Sequence, residues 1–205
     1  MWLVPLSVLA LWLEQAERNT EDLALIERVK RRDEQALAKL YDRYAQLLYT
    51  LALRIVSTSE EAEDVLQEVF LQIWNRSNTY MKERGTVYSW VVTLTRNKAI
   101  DRVRSKRYKQ QAKEVKLDDA AHLAESHTTN PQHAVVLKEY QEIVAAAQKK
   151  LSSVEAQILD LSYYGGYSQT EIAKMLKMPL GTVKTKMRQG IIKLRQALRQ
   201  GRSER

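Results

Sequence analysis

The sequence contains no cysteine, only six glycines and three prolines in 205 residues, and a single phenylalanine. Without cysteine there can be no disulfide scaffold and no Cys-ligated zinc or redox centre, so stability must come from packing, and a reducing cytoplasm suits the chain. So few helix breakers leave long stretches uninterrupted, and no segment alternates convincingly at the period of two that a half-buried strand requires. A long hydrophobic run is missing too. The stretch 1–13 is uncharged and strongly apolar, but it falls short of the roughly 20 residues that cross a bilayer. No basic residues precede it, as they would in a secretion signal. The expectation here is a start codon set too far upstream or a tail packed loosely on the helices; a membrane or partner-docking segment is the other reading.

What the chain has is positive charge. Lysine and arginine total 33 against 25 acidic residues, a formal net charge of +8. A basic balance favours a polyanionic partner, because neutralising phosphates releases counterions. Charge alone does not separate DNA, RNA and an anionic membrane.

Apolar residues recur at three and four residues over most of the length, which predicts helices at about 21–32, 33–57, 59–76, 85–108, 136–150, 152–163, 168–177 and 180–200. The fold class is therefore all-α. Between Glu114 and Val135 the sequence turns polar, locally acidic and weakly periodic, and it contains Pro131. Such a segment buries too little apolar surface to offset the ordering of its backbone. It is read as a flexible linker over 114–135 between two small helical domains, 21–113 and 136–205, with 1–20 as an apolar extension. His122, His127 and His133 all fall in or beside the linker at spacings that match no standard metal site, so they are read as solvated side chains, and no metal or other cofactor is expected.

In the C-terminal domain Ser152 with Glu155, and Ser168 with Glu171, form the Ser-x-x-Glu pattern of a capping box ahead of an apolar run. The glycines of Tyr164-Gly165-Gly166-Tyr167 break the chain between them, and Lys177-Met178-Pro179 makes a tight turn before the last helix. There, Val183, Met187, Ile191, Leu194 and Leu198 form the stripe expected to face the core. Thr182, Lys184, Thr185, Arg188 and Gln189 lie opposite, with donors and acceptors suited to base edges and charge suited to phosphates. The plainer alternative is an amphipathic pair with a solvated basic face. Both capping boxes, the short turn and the basic first turns together favour DNA.

The N-terminal domain carries two unlike surfaces. Over 60–75, Ala62, Val65, Leu66, Val69, Phe70, Ile73 and Trp74 make one apolar stripe, and Glu60, Glu61, Glu63, Asp64, Gln67, Glu68 and Gln72 the other face. An acidic face in a basic protein repels nucleic acid and suits a basic protein surface; carboxylates that only aid solubility or the helix N-terminus are the even alternative. Over 85–113, Arg96, Lys98, Arg102, Arg104, Lys106, Arg107 and Lys109 crowd one helix, with Tyr80, Tyr88 and Trp90 just before them. Aromatic rings beside a basic track suit an unpaired strand, whose bases stack at about 1–3 kcal/mol each. Trp90 is equally a candidate for the core, beside Val87, Val91 and Leu94.

The runs EEAEDVLQEVFLQIW, SWVVTLTRNKAIDRVR and YSQTEIAKMLKMPLGTVKTKMRQGIIKLRQAL, in this order, closely resemble the extracytoplasmic-function group of sigma-seventy-type sigma factors over about residues 21–200. The resemblance implies a dissociable RNA polymerase subunit that recognises the minus ten and minus thirty-five promoter elements and helps to open the DNA, without being an enzyme and without a small-molecule substrate. It implies docking on the β′ clamp helices of core polymerase through Glu61, Asp64, Gln67 and Glu68, with the β subunit as a further partner. It implies contact with the melted minus ten strand by Tyr88, Trp90, Arg96, Asn97, Lys98, Arg102 and Arg104, with Asn97 at the position that captures a flipped base. Duplex contacts at minus thirty-five are implied for Thr182, Lys184, Thr185, Lys186, Arg188 and Gln189. An anti-sigma factor, often membrane-bound, is the implied regulator, and Asp118, Asp119 and Glu125 of the linker would run through the polymerase as nucleic-acid mimics. Where many members of the group carry Ala and Arg, this chain has Gly190 and Ile191, so a phosphate contact is expected to be missing there and the helix to be locally softer.

Two rival readings differ in kind. A stand-alone helix-turn-helix regulator would bind its operator tightly without polymerase. A carboxylate-dependent phosphodiesterase would gather a divalent metal on Glu60, Glu61, Asp64 and Glu68.

Overall fold

The computed structural model describes residues 18–113 and 149–203. The stretch 1–17, the linker with its three histidines and acidic residues, and nearly all of the helix expected at 136–150 lie outside the described residues. Among those described, every regular element is helical. The N-terminal unit holds α1 (Arg18–Lys30), α2 (Glu34–Val56), α3 (Ser59–Arg76) and α4 (Val87–Lys113). The C-terminal unit holds α5 (Ser153–Tyr163), α6 (Gln169–Met175) and α7 (Leu180–Ser203).

Local chemistry sets the helix ends. Asp33 caps α2 by accepting from the Ala36 N–H at 3.2 Å, and the guanidinium of Arg28, 2.7 Å away, holds that carboxyl below its usual range. Ser57, left-handed at φ 69°, ends α2 by donating its N–H to Leu53 O. Two short 3-10 turns, Ser77–Thr79 and Lys82–Arg84, lead through Gly85 at φ 141° into α4.

α2 is the hub of the first unit and packs on α1, α3 and α4. Its inner stripe of Leu40, Leu48, Leu51 and Ile55 meets Ile26 and Val29 of α1, Val65, Val69 and Ile73 of α3, and Val87, Val91 and Ala99 of α4 in one buried core. Each such valine, leucine or isoleucine side chain stabilises the unit by about 1.5–3 kcal/mol relative to exposure. Among the buried polar groups of this unit, Asp22, fully buried, accepts from the Tyr44 hydroxyl and the Arg43 guanidinium, tying α1 to α2. Burial and the adjacent Asp22 carboxylate push the Tyr44 phenol up, so it stays the proton donor of that pair.

The second unit closes on Ile158, Ile172, Ala173 and Val183, with Val154, Leu161, Tyr167, Leu176, Met178 and Met187 around them. Both expected capping boxes are formed: Glu155 N–H donates to Ser152 Oγ and Ser152 N–H to Glu155 Oε2, and Ser168 and Glu171 repeat the arrangement. Gly166 takes φ 66° between α5 and α6, where a side chain would be strained. Lys177 at φ 51° turns α6 into α7 while Met178 N–H donates to Ala173 O.

Among the side chains described, which do not include Leu198, the core stripe of α7 differs from the expected one in one member. Val183 and Leu194 are buried as expected and Met187 half-buried, but Ile191 is 39% exposed and Gly190 takes its place inside. Steps of four, three and four residues from 183 through 187 and 190 to 194 follow the helical period as well as steps through 191 do. What selects Gly190 is the close crossing with α5: an added Cβ would stand 2.8 Å from Leu159 Cδ1 and 3.5 Å from Glu155 Cβ. The glycine expected to soften the helix stands where α7 approaches α5 closely.

Candidate nucleic-acid interface and acidic docking face

α3 sorts its residues as the pattern predicts. Ala62, Val65, Leu66, Val69, Phe70 and Ile73 are buried, while Glu60, Glu63, Asp64 and Gln67 are exposed and Glu68 is half-exposed. Glu61 departs from the ridge. Its side chain turns toward α4 and meets Lys106 Nζ at 2.5 Å, leaving it mostly covered. Leu71 on α3 and Tyr41 on α2, whose ring lies 4.8 Å from that of Phe70, are exposed at 61% and 47%. Neither was singled out in the sequence, although Leu71 stands four residues beyond Gln67 on the outward face. Trp74, the last residue of the expected apolar stripe, is only half-buried and lies under the Arg32 guanidinium at 5.2 Å, which also donates to its backbone carbonyl.

α4 corrects the reading of Tyr88. Expected beside the basic track, Tyr88 is 1% exposed, its ring 6.0 Å from that of Tyr44. It lies between the inward Val87 and Val91 in the helical turn, so a base could stack on it only if the core opened. Trp90 is half-buried against Tyr80, ring centroids 5.5 Å apart, and Tyr80 is itself buried with its hydroxyl donating to Gly85 O. Trp90, Thr93, Asn97, Asp101 and Arg104 follow one another at three and four residues along one face of α4, and all but the half-buried Trp90 are exposed. Thr93 and Asp101 are additions to the expected set, and Asp101 is a carboxylate on a stripe otherwise suited to a strand of DNA. Arg96 stands beside this face, its Nη1 3.4 Å from Asn97 Oδ1.

Lys98 and Arg102 sit on a different side of α4, facing α3. Lys98 Nζ lies 3.0 Å from Glu68 Oε2, and Arg102 reaches Asp64 at 3.0 Å and Glu68 at 3.3 Å. The acidic and basic surfaces read separately in the sequence thus share a seam. The side chains of α4 beyond Arg107, Lys109 among them, are outside the described residues. The four carboxylates of the phosphodiesterase reading do not converge: Glu61, Asp64 and Glu68 are engaged by cations, and among the described residues no three histidines or carboxylates gather as a metal site.

In the second unit, Lys184, Thr185, Arg188 and Gln189 are exposed and Thr182 and Lys186 half-exposed, on the side of α7 away from Val183 and Leu194. Thr185 Oγ1 donates to Gly181 O, fixing its rotamer on the outer face. These are the first turns of a helix presented by α6 and a tight turn, the geometry in which a second helix enters a major groove.

Two family models match the chain, Sigma-70 region 2 over residues 40–108 and Sigma-70 region 4 over residues 149–196. Among curated proteins it is 31% identical over 175 residues to the ECF RNA polymerase sigma factor SigK of Mycolicibacterium vanbaalenii, covering 85% of this chain and 88% of the relative. The chain belongs to the ECF group of the sigma-70 family. This sigma factor is also 29% identical over 182 residues to SigK of Mycobacterium bovis BCG, covering 88% of this chain and 96% of the relative. Among solved structures, Rhodobacter sphaeroides SigE in complex with the anti-sigma ChrR aligns at 24% identity and a TM-score of 0.43, over 84% of this chain and 97% of that one. The region 2 match contains the acidic ridge and the α4 track, and the region 4 match contains the α6–α7 pair. No helix among the described residues is long and apolar enough to cross a membrane.

Proposed function

We propose that this sigma factor works as three assigned surfaces on two domains, 21–113 and 136–205, carried by the linker 114–135. Asp64, Gln67 and Glu68, with Glu61 at the edge, dock on the β′ clamp helices of core polymerase. Trp90, Arg96, Asn97 and Arg104, with Lys98 and Arg102 alongside, hold the unpaired minus ten strand. Thr182, Lys184, Thr185, Lys186, Arg188 and Gln189 read the minus thirty-five duplex. Binding energy for the open strand shifts the opening equilibrium, and no bond is made or broken by this chain. The setting is the bacterial cytoplasm, and an anti-sigma factor is the regulator.

The observation that carries this reading is the orientation of the surfaces: the carboxylates of α3 and the polar residues of α7 both point away from their own cores. Run-off transcription with purified core polymerase tests it. Stimulated, promoter-dependent transcripts are expected, and their loss in an Asp64→Ala/Gln67→Ala variant would locate the docking face; no stimulation on any genomic promoter rejects the assignment.

A further inference from the structure

Of the α7 glycines at 181 and 190, the chain itself accounts for only the second. A Cβ at Gly190 would press on Leu159 of α5, so the fold requires that side chain to be missing. Gly181 is different. It is exposed, its φ lies outside the left-handed region that favours glycine, and a Cβ built on it would meet no atom within 4 Å beyond its chain neighbours and its own helical turn. Neither backbone conformation nor internal packing asks for glycine there, and glycine is a poor helix former. The open space also has a direction. Gly181 stands three, four and seven residues before Lys184, Thr185 and Arg188, so all four share the outward face of α7. Thr185 Oγ1 donates to Gly181 O at 2.9 Å, which holds that hydroxyl against the helix backbone. The head of the reading face is therefore a notch the size of a side chain, floored by bare backbone.

We propose that Gly181 is a positioning residue for the duplex: its missing side chain lets the first turn of α7 lie directly against the DNA, and so sets how far Lys184, Thr185 and Arg188 reach into the major groove. This rests on the duplex-reading role given above. Glycine is the residue that lets a backbone come close to a ligand. A methyl group or anything longer at 181 would stand between helix and groove, at the end of the helix from which base edges are contacted. Lifting that end tilts the whole face, so several contacts weaken together although none of their side chains has changed. Nothing inside the C-terminal unit is disturbed by the same substitution, because the space it fills is outside. Stability and DNA affinity therefore respond differently at this position, whereas at Gly190 the fold itself is what a larger residue strains.

The test uses the full chain saturated with core polymerase, a promoter duplex that the run-off assay transcribes, and the same duplex with its minus thirty-five element replaced. Gly181→Ala and Gly181→Met are compared with the parent chain, since both introduced residues are good helix formers. Hydrogen exchange of the α7 amides in the free chain is expected to show the folding equilibrium of α5–α7 kept or raised, by up to about fivefold. Promoter affinity should nevertheless fall with side-chain size, by about tenfold for methionine and less for alanine, the scale of one lost base contact. The duplex without its element should bind all three chains nearly alike. Lowered stability in Gly181→Ala would show that the fold needs the glycine. Unchanged promoter affinity in Gly181→Met, or equal losses on both duplexes, would show that the reading face does not depend on the notch. Any of these overturns the proposal. The duplex-reading role fails separately: it is wrong if Arg188→Ala and Gln189→Ala also leave promoter affinity unchanged, whereas a loss in those variants without one in Gly181→Met defeats the positioning alone.

Discussion

Lys193 Nζ lies 2.7 Å from Oε2 of Glu155 and 2.9 Å from its Oε1, closing over a carboxylate that is 1% exposed and also accepts from the Ser152 N–H. The pair joins the start of α5 to the middle of α7, so a capping box that would serve one helix becomes a clamp between two. Lys193→Met leaves the carboxylate with its cap but without its cation. An unpaired buried charge costs more than the pair itself gained. Because Lys193 is partly exposed and water can enter, a loss of about 1–2 kcal/mol is expected. Native-state hydrogen exchange of the α5 amides reads it without interference from the N-terminal unit.

The same carboxylate gives the second unit an acid limit. Its hydrogen bond to Lys193 and the Ser152 N–H hold Glu155 below the ordinary value of 4.5. A carboxyl lowered in the folded state stabilises above its unfolded value, and that stabilisation drains as the pH falls through the folded one. Stability of α5–α7 should therefore decline on acidification from about pH 4.5 downward. The decline should be shallower in Lys193→Met, measured by urea unfolding across that range.

Tyr88 separates core from interface in the first unit. Its truncation to Ala should cost the unit about 3–5 kcal/mol, as for other large aromatic deletions. Tyr88→Leu, which removes the ring but keeps an apolar side chain in the core, should leave single-strand affinity unchanged within about twofold where the unit stays folded, because a ring that no base reaches contributes no stacking. A large affinity loss in Tyr88→Leu with the fold intact would return it to the interface.

At Gly190 the close crossing makes size the variable. Alanine gains about 1 kcal/mol of helix propensity but presses Leu159, whose side-chain end can yield, so the net change should be small. Leucine cannot be accommodated by that motion and should destabilise α5–α7 by about 1–3 kcal/mol, read by thermal unfolding.

On the duplex side, Arg188→Ala should relax preference at one base position by about 1–3 kcal/mol, while Lys184→Ala should weaken all sequences evenly and lower the salt slope by about 1. Binding to a set of duplexes over a salt series distinguishes the two; equal, sequence-blind losses would argue that neither reads a base.

How much of this was visible beforehand depends on the range of the interaction. Helix starts at Ser152, Ser168 and Asp33, the left-handed turn at Gly166 and the outward set on α7 involve residues within a few positions of one another. Their hydrogen bonds and periodicities are written in short windows of sequence. Tyr88 was misplaced because an aromatic near a basic run fits either face, and only the position of Tyr44 on α2 decides which face is inside. Ile191 was misplaced because 190 and 191 satisfy the stripe alike, and the deciding contact comes from Leu159 on another helix.

Composition and local pattern were enough to establish helices, their caps, the placing of acidic and basic residues on separate helices, and the family they spell. The rotation of each helix about its axis was not contained there. It sets which carboxylates of α3 face solvent and which face α4, and it joins two surfaces that look independent in one dimension. Side-chain volumes far apart in the chain select that rotation by how they fill a shared core, and no short window of sequence records that fit.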